Sequence, residues 1–130
     1  AAKEPIASQG ISDRCELVGG SFFDSVPGGG DLYLLKTVLH DWSDVESVQI
    51  LKSCRTAIRP GGRLLVVEML IPHDGSPSPA QLLDLNMLVM LTGRERSSDE
   101  YESLFTASKF KLRRVIPTHS PFSLVEAEPV

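Results

Sequence analysis

The sequence is poor in cysteine, in long apolar runs and in positive charge, and each shortage excludes a class of protein. Two cysteines, Cys15 and Cys54, are too few for a disulfide framework and lack the spacing of a metal site. No apolar run reaches the roughly 18 residues that span a bilayer. Thirteen lysines and arginines against 17 aspartates and glutamates give a net charge of −4, which disfavours nucleic-acid and anionic-membrane partners. We expect a reduced, cytoplasmic globular domain, or part of one, that binds neither nucleic acid nor membrane.

Two short apolar runs predict the centre of the fold. Residues 32–35 and 64–67 are almost entirely apolar, which is typical of parallel strands that helices cover on both faces. Between them, residues 44–58 carry apolar side chains along one helical face. A Ser43-x-x-Glu46 capping box marks the start of this helix, and prolines and glycines mark its end. The pattern predicts a βαβ unit with a right-handed crossover.

The flanking segments extend this unit into an α/β architecture. A second capping box, Ser97-x-x-Glu100, and a proline at position 79 mark the starts of two further helices. The other predicted elements are the tail of a helix at 1–10, a strand at 15–18, a glycine-rich turn at 26–31, helices at 79–91 and 97–108, and strands at 111–116 and 122–126. Because the connection between the last two strands is short, they are predicted to form an antiparallel hairpin.

Polar side chains follow the predicted strands, at the edge where open α/β sheets bind ligands. His40 and Asp41 come after the first apolar run, Glu68 after the second, and Glu95 after the helix at 79–91. Histidine titrates near neutrality, so His40 is a natural base for a hydroxyl proton, with a carboxylate to orient its ring. Simpler interpretations remain open: a loop histidine bonded to backbone, a structural arginine partner for Glu68, and a solvated charged face for Glu95.

Motifs of several other enzyme classes are absent. The sequence contains no G-x-G-x-x-G, no phosphate-loop lysine and no G-x-S-x-G elbow. The three glycines at 28–30 precede a strand, whereas a phosphate-binding loop follows one, so they are predicted to form a turn. A nicotinamide oxidoreductase is therefore disfavoured, although it would share the sheet.

The candidate residues together resemble a known family. Residues 34–44, with their Leu-His-Asp-Trp core, resemble the signature of the S-adenosylmethionine-dependent O-methyltransferases of the plant caffeate and bacterial polyketide type. Residues 19–23, 60–68 and 93–96 continue the likeness in order, over essentially the whole chain. The resemblance implies the C-terminal part of a Rossmann-like class I methyltransferase sheet, ending in the antiparallel hairpin.

The resemblance also implies roles for single residues. His40 matches the general base that deprotonates the acceptor hydroxyl, and Glu68 and Glu95 match the two glutamates that flank it. No metal is required. The implied contacts to S-adenosyl-L-methionine come from Ser21, Phe22 and Lys36, with Ser21 standing where the family usually has an acidic residue. The implied contacts to the acceptor come from Asp41, Met87 and Met90, although helix packing explains the two methionines equally well.

The family pattern further implies that residues 1–130 are part of a catalytic domain, without the glycine-rich cofactor loop and the N-terminal dimerisation domain. Two functions stay open on the sequence. One is methyl transfer to a small-molecule hydroxyl, phenolic or polyketide-like, by a protein that is a homodimer at full length. The other is a truncated, non-catalytic fragment or interaction half that needs the missing N-terminal portion.

Overall fold

Neighbouring parallel strands form from the two apolar runs, as predicted. The computed structural model describes residues 3–90 and 93–130. Its helices and strands are α1 Lys3–Ser8, β1 Leu32–Lys36, α2 Asp44–Ala57, β2 Arg63–Met69, α3 Pro79–Met90, α4 Ser98–Ala107, β3 Phe110–Pro117 and β4 Phe122–Pro129, with 3-10 turns at Ser12–Arg14 and Leu39–Asp41. The predicted helices and all but one of the predicted strands are therefore present; residue 91, the predicted end of α3, lies outside the described residues.

The sheet has the strand order β1-β2-β4-β3. β1 runs parallel to β2, with Leu32 opposite Arg63 and Lys36 opposite Val67. β4 is antiparallel to both β2 and β3, which confirms the terminal hairpin. The carboxyl ends of β1 and β2 therefore lie side by side, and the polar residues that follow each strand meet at this edge.

Both predicted capping boxes are formed and fix where the helices begin. The Ser43 hydroxyl accepts a hydrogen bond from the Glu46 amide, and the Glu46 side chain accepts one from the Ser43 amide. Ser97 and Glu100 repeat the arrangement at α4. Because α2 begins four residues after His40, its capped end also fixes the chain direction beyond that histidine.

The core lies on one face of the sheet, under α2 and α4. Alternate β2 residues, Leu64 and Val66, are fully buried, as are the facing residues of both helices. The core consists of Leu39, Ile50, Leu51, Cys54, Ile58, Leu64, Val66, Tyr101, Leu104, Phe105, Phe110, Val125 and Ala127. On the opposite face, Leu32 and Leu34 of β1 are 54% and 58% exposed. The expectation that β1 is buried on both faces is therefore wrong for the part of the chain that the structure describes.

The predicted strand at 15–18 is also wrong. These residues are irregular, and Leu17 and Val18 are exposed. An extended apolar segment becomes a strand only when another strand offers its backbone groups. Within residues 3–90 and 93–130, β1 pairs with β2 alone, so residues 15–18 have no strand beside them.

α3 exposes large apolar side chains to solvent. Its side chains Leu82, Leu85 and Val89 are solvent-exposed, whereas Ala80 and Met87 are buried. No helix among the described residues combines the length and apolarity needed to cross a membrane.

Candidate active site

Three separate connections bring His40, Glu68 and Glu95 together. His40 lies in the 3-10 turn after β1, Glu68 near the end of β2, and Glu95 in the segment after α3. The His40 Nδ1 atom lies 2.8 Å from Glu95 Oε1 and 3.8 Å from Glu68 Oε2. All three side chains are buried. The simpler interpretation of Glu95 as part of a solvated face is therefore wrong.

Glu68 holds the start of the turn that carries His40. Its Oε1 atom accepts hydrogen bonds from the backbone amides of Val38 and Leu39, each at 3.1 Å. Burial raises the pKa of this carboxyl to about 7, against the lowering effects of His40 and of the backbone amides. Glu68 is thus bonded to the backbone of the turn and faces the imidazole, instead of pairing with a structural arginine.

The contacts of His40 indicate which ring nitrogen is able to accept a proton. The hydrogen bond to Glu95 raises the pKa of His40, burial lowers it, and the charges of Glu68, Glu95 and Asp41 raise it further. Because Glu95 is a carboxylate acceptor, the neutral ring carries its hydrogen on Nδ1 and leaves Nε2 with a free lone pair. Nε2 lies 3.3 Å from Asp41 Oδ1, on the side where Asp41 is partly exposed.

Two buried carboxylate oxygens of this cluster accept no hydrogen bond among the described residues. Glu68 Oε2 and Glu95 Oε2 are buried and have no hydrogen-bond partner within the described residues. Unpaired carboxylate oxygens in a buried site are costly, and a positive charge on the neighbouring ring reduces that cost. The arrangement therefore favours the protonated form of His40, which is the form that a general base reaches after it has taken a proton.

Phe22 lies in an aromatic cluster that touches the turn carrying His40. Its ring centre is 5.0 Å from that of Phe23 and 6.1 Å from that of Trp42, both in edge-to-face contacts. Beside it lies a cavity of about 370 Å³. The cavity is lined by Val18, Gly19, Gly20, Phe22, Ser25, Val26 and Pro27. A recess of this kind, with small residues and one fixed aromatic face, fits a flat ring system.

The other residues implied for cofactor and acceptor occupy different surroundings. Ser21 is exposed, and its hydroxyl accepts a hydrogen bond from the Phe23 amide at 3.3 Å. The Lys36 ammonium lies 4.9 Å from the centre of the Phe122 ring, a cation–π contact. Met87 is buried in α3, which leaves helix packing and acceptor contact equally open. The side chain of Met90 lies outside the described residues.

Two features of the site were not foreseen from the sequence. Arg96 is completely buried beside the His40 turn, although the alternating charges of residues 94–96 are typical of a solvated face. Only Arg94, with a 47% exposed side chain, matches that interpretation. Asp84 of α3 accepts a hydrogen bond from the Glu95 amide at 2.8 Å. Most hydrogen-bond partners of Arg96, and the partner of Asp84, are backbone groups, which leave no pattern in a sequence.

The family model and the relatives that match this chain point to the same protein family. Residues 1–111 match the family described as O-methyltransferase domain. The chain is 48% identical to a phenazine O-methyltransferase of Lysobacter antibioticus, over 100% of the chain and 38% of the relative. The chain thus spans less than two fifths of that relative's length.

Solved structures agree with this assignment. The crystal structure of LaPhzM superposes with a TM-score of 0.95 at 48% identity, covering 99% of this chain and 39% of that one. The O-methyltransferase NcsB1 of neocarzinostatin biosynthesis, solved with S-adenosylmethionine and 2-hydroxy-5-methyl naphthoic acid, superposes with a TM-score of 0.88 at 36% identity, covering 99% and 38%. The predicted fold, part of a class I methyltransferase sheet with a terminal hairpin, is confirmed. The chain belongs to the S-adenosylmethionine-dependent O-methyltransferase family.

Proposed function

We propose that this chain supplies the general base and part of the cofactor site of an enzyme that methylates a small-molecule hydroxyl, phenolic or polyketide-like. The observation that carries the proposal is the 2.8 Å contact between His40 Nδ1 and Glu95 Oε1, which leaves Nε2 as the basic atom. Support for the acceptor class comes from relatives that methylate or bind aromatic small molecules, such as the naphthoic acid held by NcsB1.

The chemistry divides between cofactor and protein. When bound, S-adenosylmethionine would supply a methyl group on a positively charged sulfur: the acceptor oxygen would bond to the methyl carbon as the carbon–sulfur bond breaks, with the neutral thioether as the leaving group. His40 Nε2 takes the proton of the acceptor hydroxyl as the oxygen becomes nucleophilic. Glu95 and Glu68 stabilise the imidazolium that results, and Asp41 lies within 3.3 Å of the newly protonated nitrogen. No metal ion is needed for this transfer.

The residues beside the recess fit part of the cofactor. Phe22 offers an aromatic face that Phe23 and Trp42 hold in place, suited to a flat adenine-like ring. Ser21, next to Phe22, offers a neutral hydroxyl where a carboxylate is usual, so its contact with the cofactor is a weaker hydrogen bond. Lys36 contributes only when its ammonium leaves the Phe122 ring.

Asp41, Met87 and Met90 are the proposed acceptor contacts. Asp41 has the strongest support, because it lies beside Nε2 and is 39% exposed. The remaining cofactor contacts, and the homodimer, are proposed to belong to those parts of the relatives that this chain does not cover. A cytoplasmic location stays a prediction from the low cysteine content.

One observation favours the alternative function, a non-catalytic fragment or interaction half. β1 exposes Leu32 and Leu34 on one face, and its outer edge has no strand neighbour among the described residues. Apolar side chains beside unpaired backbone groups promote association with another chain. Such an interaction half would bind a partner through β1 without needing His40.

The test is His40→Gln in the protein as its source produces it. With a panel of phenolic and polyketide acceptors, we expect kcat to fall by about 10²- to 10⁴-fold because the base is lost, while cofactor affinity stays the same. His119→Gln is the matched control, since His119 lies exposed in the β3–β4 connection. Retention of wild-type kcat by His40→Gln would overturn the assignment of the base, and no methyl transfer by the wild type would favour the interaction half.

A further inference from the structure

Arg96 is a buried guanidinium whose hydrogen-bond donors are all engaged. Its side chain is 0% exposed. Nε donates to Asp44 Oδ1 at 2.9 Å. Nη1 donates to the carbonyl oxygens of Leu39 at 2.9 Å and Arg94 at 3.3 Å. Nη2 donates to the Trp42 carbonyl at 2.8 Å and to the Ser47 hydroxyl at 3.5 Å. A buried charge is costly unless it is paired and hydrogen-bonded, and Arg96 meets both conditions.

Two of these acceptors bracket the residues of the proposed base. Leu39 and Trp42 stand immediately before and after His40 and Asp41, so the guanidinium bonds the carbonyl at each end of the turn. Two nitrogens of one rigid planar group thereby fix two carbonyls at once. Lysine presents a single ammonium on a flexible stem and cannot reproduce this fork.

The segment that carries Arg96 also contacts the His40 ring and the backbone of the turn. Glu95 bonds His40 Nδ1, and Gly93 packs so closely that an added Cβ atom would lie 1.9 Å from the His40 carbonyl oxygen. The segment is itself tied to the sheet, because the Ile71 amide donates to the Arg96 carbonyl at 3.1 Å. Residues 93–96 therefore link the turn to the end of β2.

We propose that Arg96 is a positioning residue of the methyl transfer: it fixes the backbone of the Leu39–Asp41 turn so that the His40 ring meets Glu95 on one side and the acceptor hydroxyl on the other. This inference rests on the proposed function. Arg96 touches neither acceptor nor cofactor in this account and acts only through His40.

A consequence for His40 distinguishes positioning from general stability. The groups that face the imidazole are Glu95, Glu68 and Asp41, and the hydrogen bond to Glu95 is the largest cause of its raised pKa. When the Leu39 and Trp42 carbonyls lose their hydrogen bonds from Arg96, we expect the turn to relax and the His40–Glu95 hydrogen bond to lengthen. The pKa of His40 then falls toward its ordinary value, whereas a loss of stability elsewhere leaves it unchanged.

The experiment compares Arg96→Lys with Arg94→Lys in the native protein. Arg94 is the neighbouring arginine, exposed and paired with Asp44 and Glu100, so it is a matched control. For Arg96→Lys we expect kcat to fall by about tenfold to a hundredfold, because misplacement of about 1 Å costs about that much. We expect KM to change by less than about twofold, and the NMR-measured pKa of His40 to fall.

Each outcome decides the inference. An unchanged His40 pKa in a folded Arg96→Lys protein overturns it, and so does an equal loss of kcat in Arg94→Lys. If Arg96→Lys does not fold, Asp44→Asn removes the charge of the half-exposed carboxylate that pairs with the Arg96 guanidinium. We then expect a smaller fall of the His40 pKa, and no fall contradicts the proposal. Because the NMR titration needs no turnover, it tests the role of Arg96 even if the native protein transfers no methyl group.

Discussion

Glu95 and His40 lie 55 residues apart in the chain, yet Glu95 Oε1 and His40 Nδ1 form a buried contact of 2.8 Å. Neither residue belongs to a regular helix or strand. The end of β1 delivers the histidine, and the segment after α3 delivers the glutamate. This pair sets both the tautomer of the imidazole and the sign of its pKa shift.

Replacing Glu95 tests the electrostatic part of that pair. Glu95→Gln keeps a side-chain oxygen that can accept from Nδ1 but removes the charge. We expect the His40 pKa to fall and kcat to drop by about tenfold, because charge-assisted hydrogen bonds are roughly twice as strong as neutral ones. NMR titration and steady-state kinetics measure the two effects. Glu102→Gln, on the exposed face of α4, is the control; equal pKa values in the wild type and Glu95→Gln would contradict the role of the charge.

Stability should decrease as the pH rises through neutrality. Burial raises the pKa of Glu68 to about 7, so the folded state binds a proton that the unfolded chain has already lost. The raised pKa of His40 acts in the same direction, since its contribution is complete below its unfolded pKa and is lost as the pH rises through its folded pKa. The two groups predict a falling free energy of unfolding above the unfolded pKa of Glu68.

Glu68→Gln isolates the larger of these effects. Glutamine keeps an oxygen for the amides of Val38 and Leu39 but does not titrate. We expect the variant to lose less stability than the wild type between pH 5 and pH 8, the difference being on the order of 1–3 kcal/mol. Urea unfolding at several pH values measures it. Parallel pH profiles for the two proteins would show that Glu68 does not titrate in this range.

Gly93→Ala should disturb the turn without changing any charge. The added Cβ atom would lie 1.9 Å from the His40 carbonyl oxygen and 2.4 Å from the Asp41 carbonyl carbon, so the backbone must move. We expect a destabilisation of about 1–3 kcal/mol and a clear loss of methyl transfer. Gly28→Ala is a suitable control, since its nearest neighbour lies 4.0 Å away. Thermal unfolding and kinetics of both variants decide whether the close approach matters.

Chelation tests the expectation that no metal takes part. The ligand-type atoms of His40, Glu68 and Glu95 lie within 4.8 Å of one another, close enough to share one ion. Because the proposed chemistry uses His40 as a proton acceptor, we expect EDTA to leave kcat unchanged. Activity that is lost with EDTA and restored by a divalent cation would mean that these three residues hold a metal.

Much of the fold was predictable because its signals are local. The capping box at Ser43 and the apolar runs of β1 and β2 act within a few residues, so they gave the βαβ unit directly. The strand at 15–18 failed because pairing depends on a neighbour, which local composition does not record.

The site was predictable only in part, for a related reason. The convergence of His40, Glu68 and Glu95 follows from the rule that ligands bind at the carboxyl edge of a parallel sheet. The burial of Arg96 follows from the carbonyls of Leu39 and Trp42, and every residue has a carbonyl. Nothing in the sequence separates an arginine that binds backbone from one that faces water.

Trp42 directly follows the Leu39–Asp41 turn and also belongs to the aromatic cluster. Its carbonyl binds Arg96, while its indole lies 4.8 Å from the ring centre of Phe23 and 6.1 Å from that of Phe22. It is also the single tryptophan of the sequence. Tryptophan fluorescence of the chain therefore arises at one place, between the recess beside Phe22 and His40, so a change in tryptophan emission on titration with a ligand reports this region without any added label.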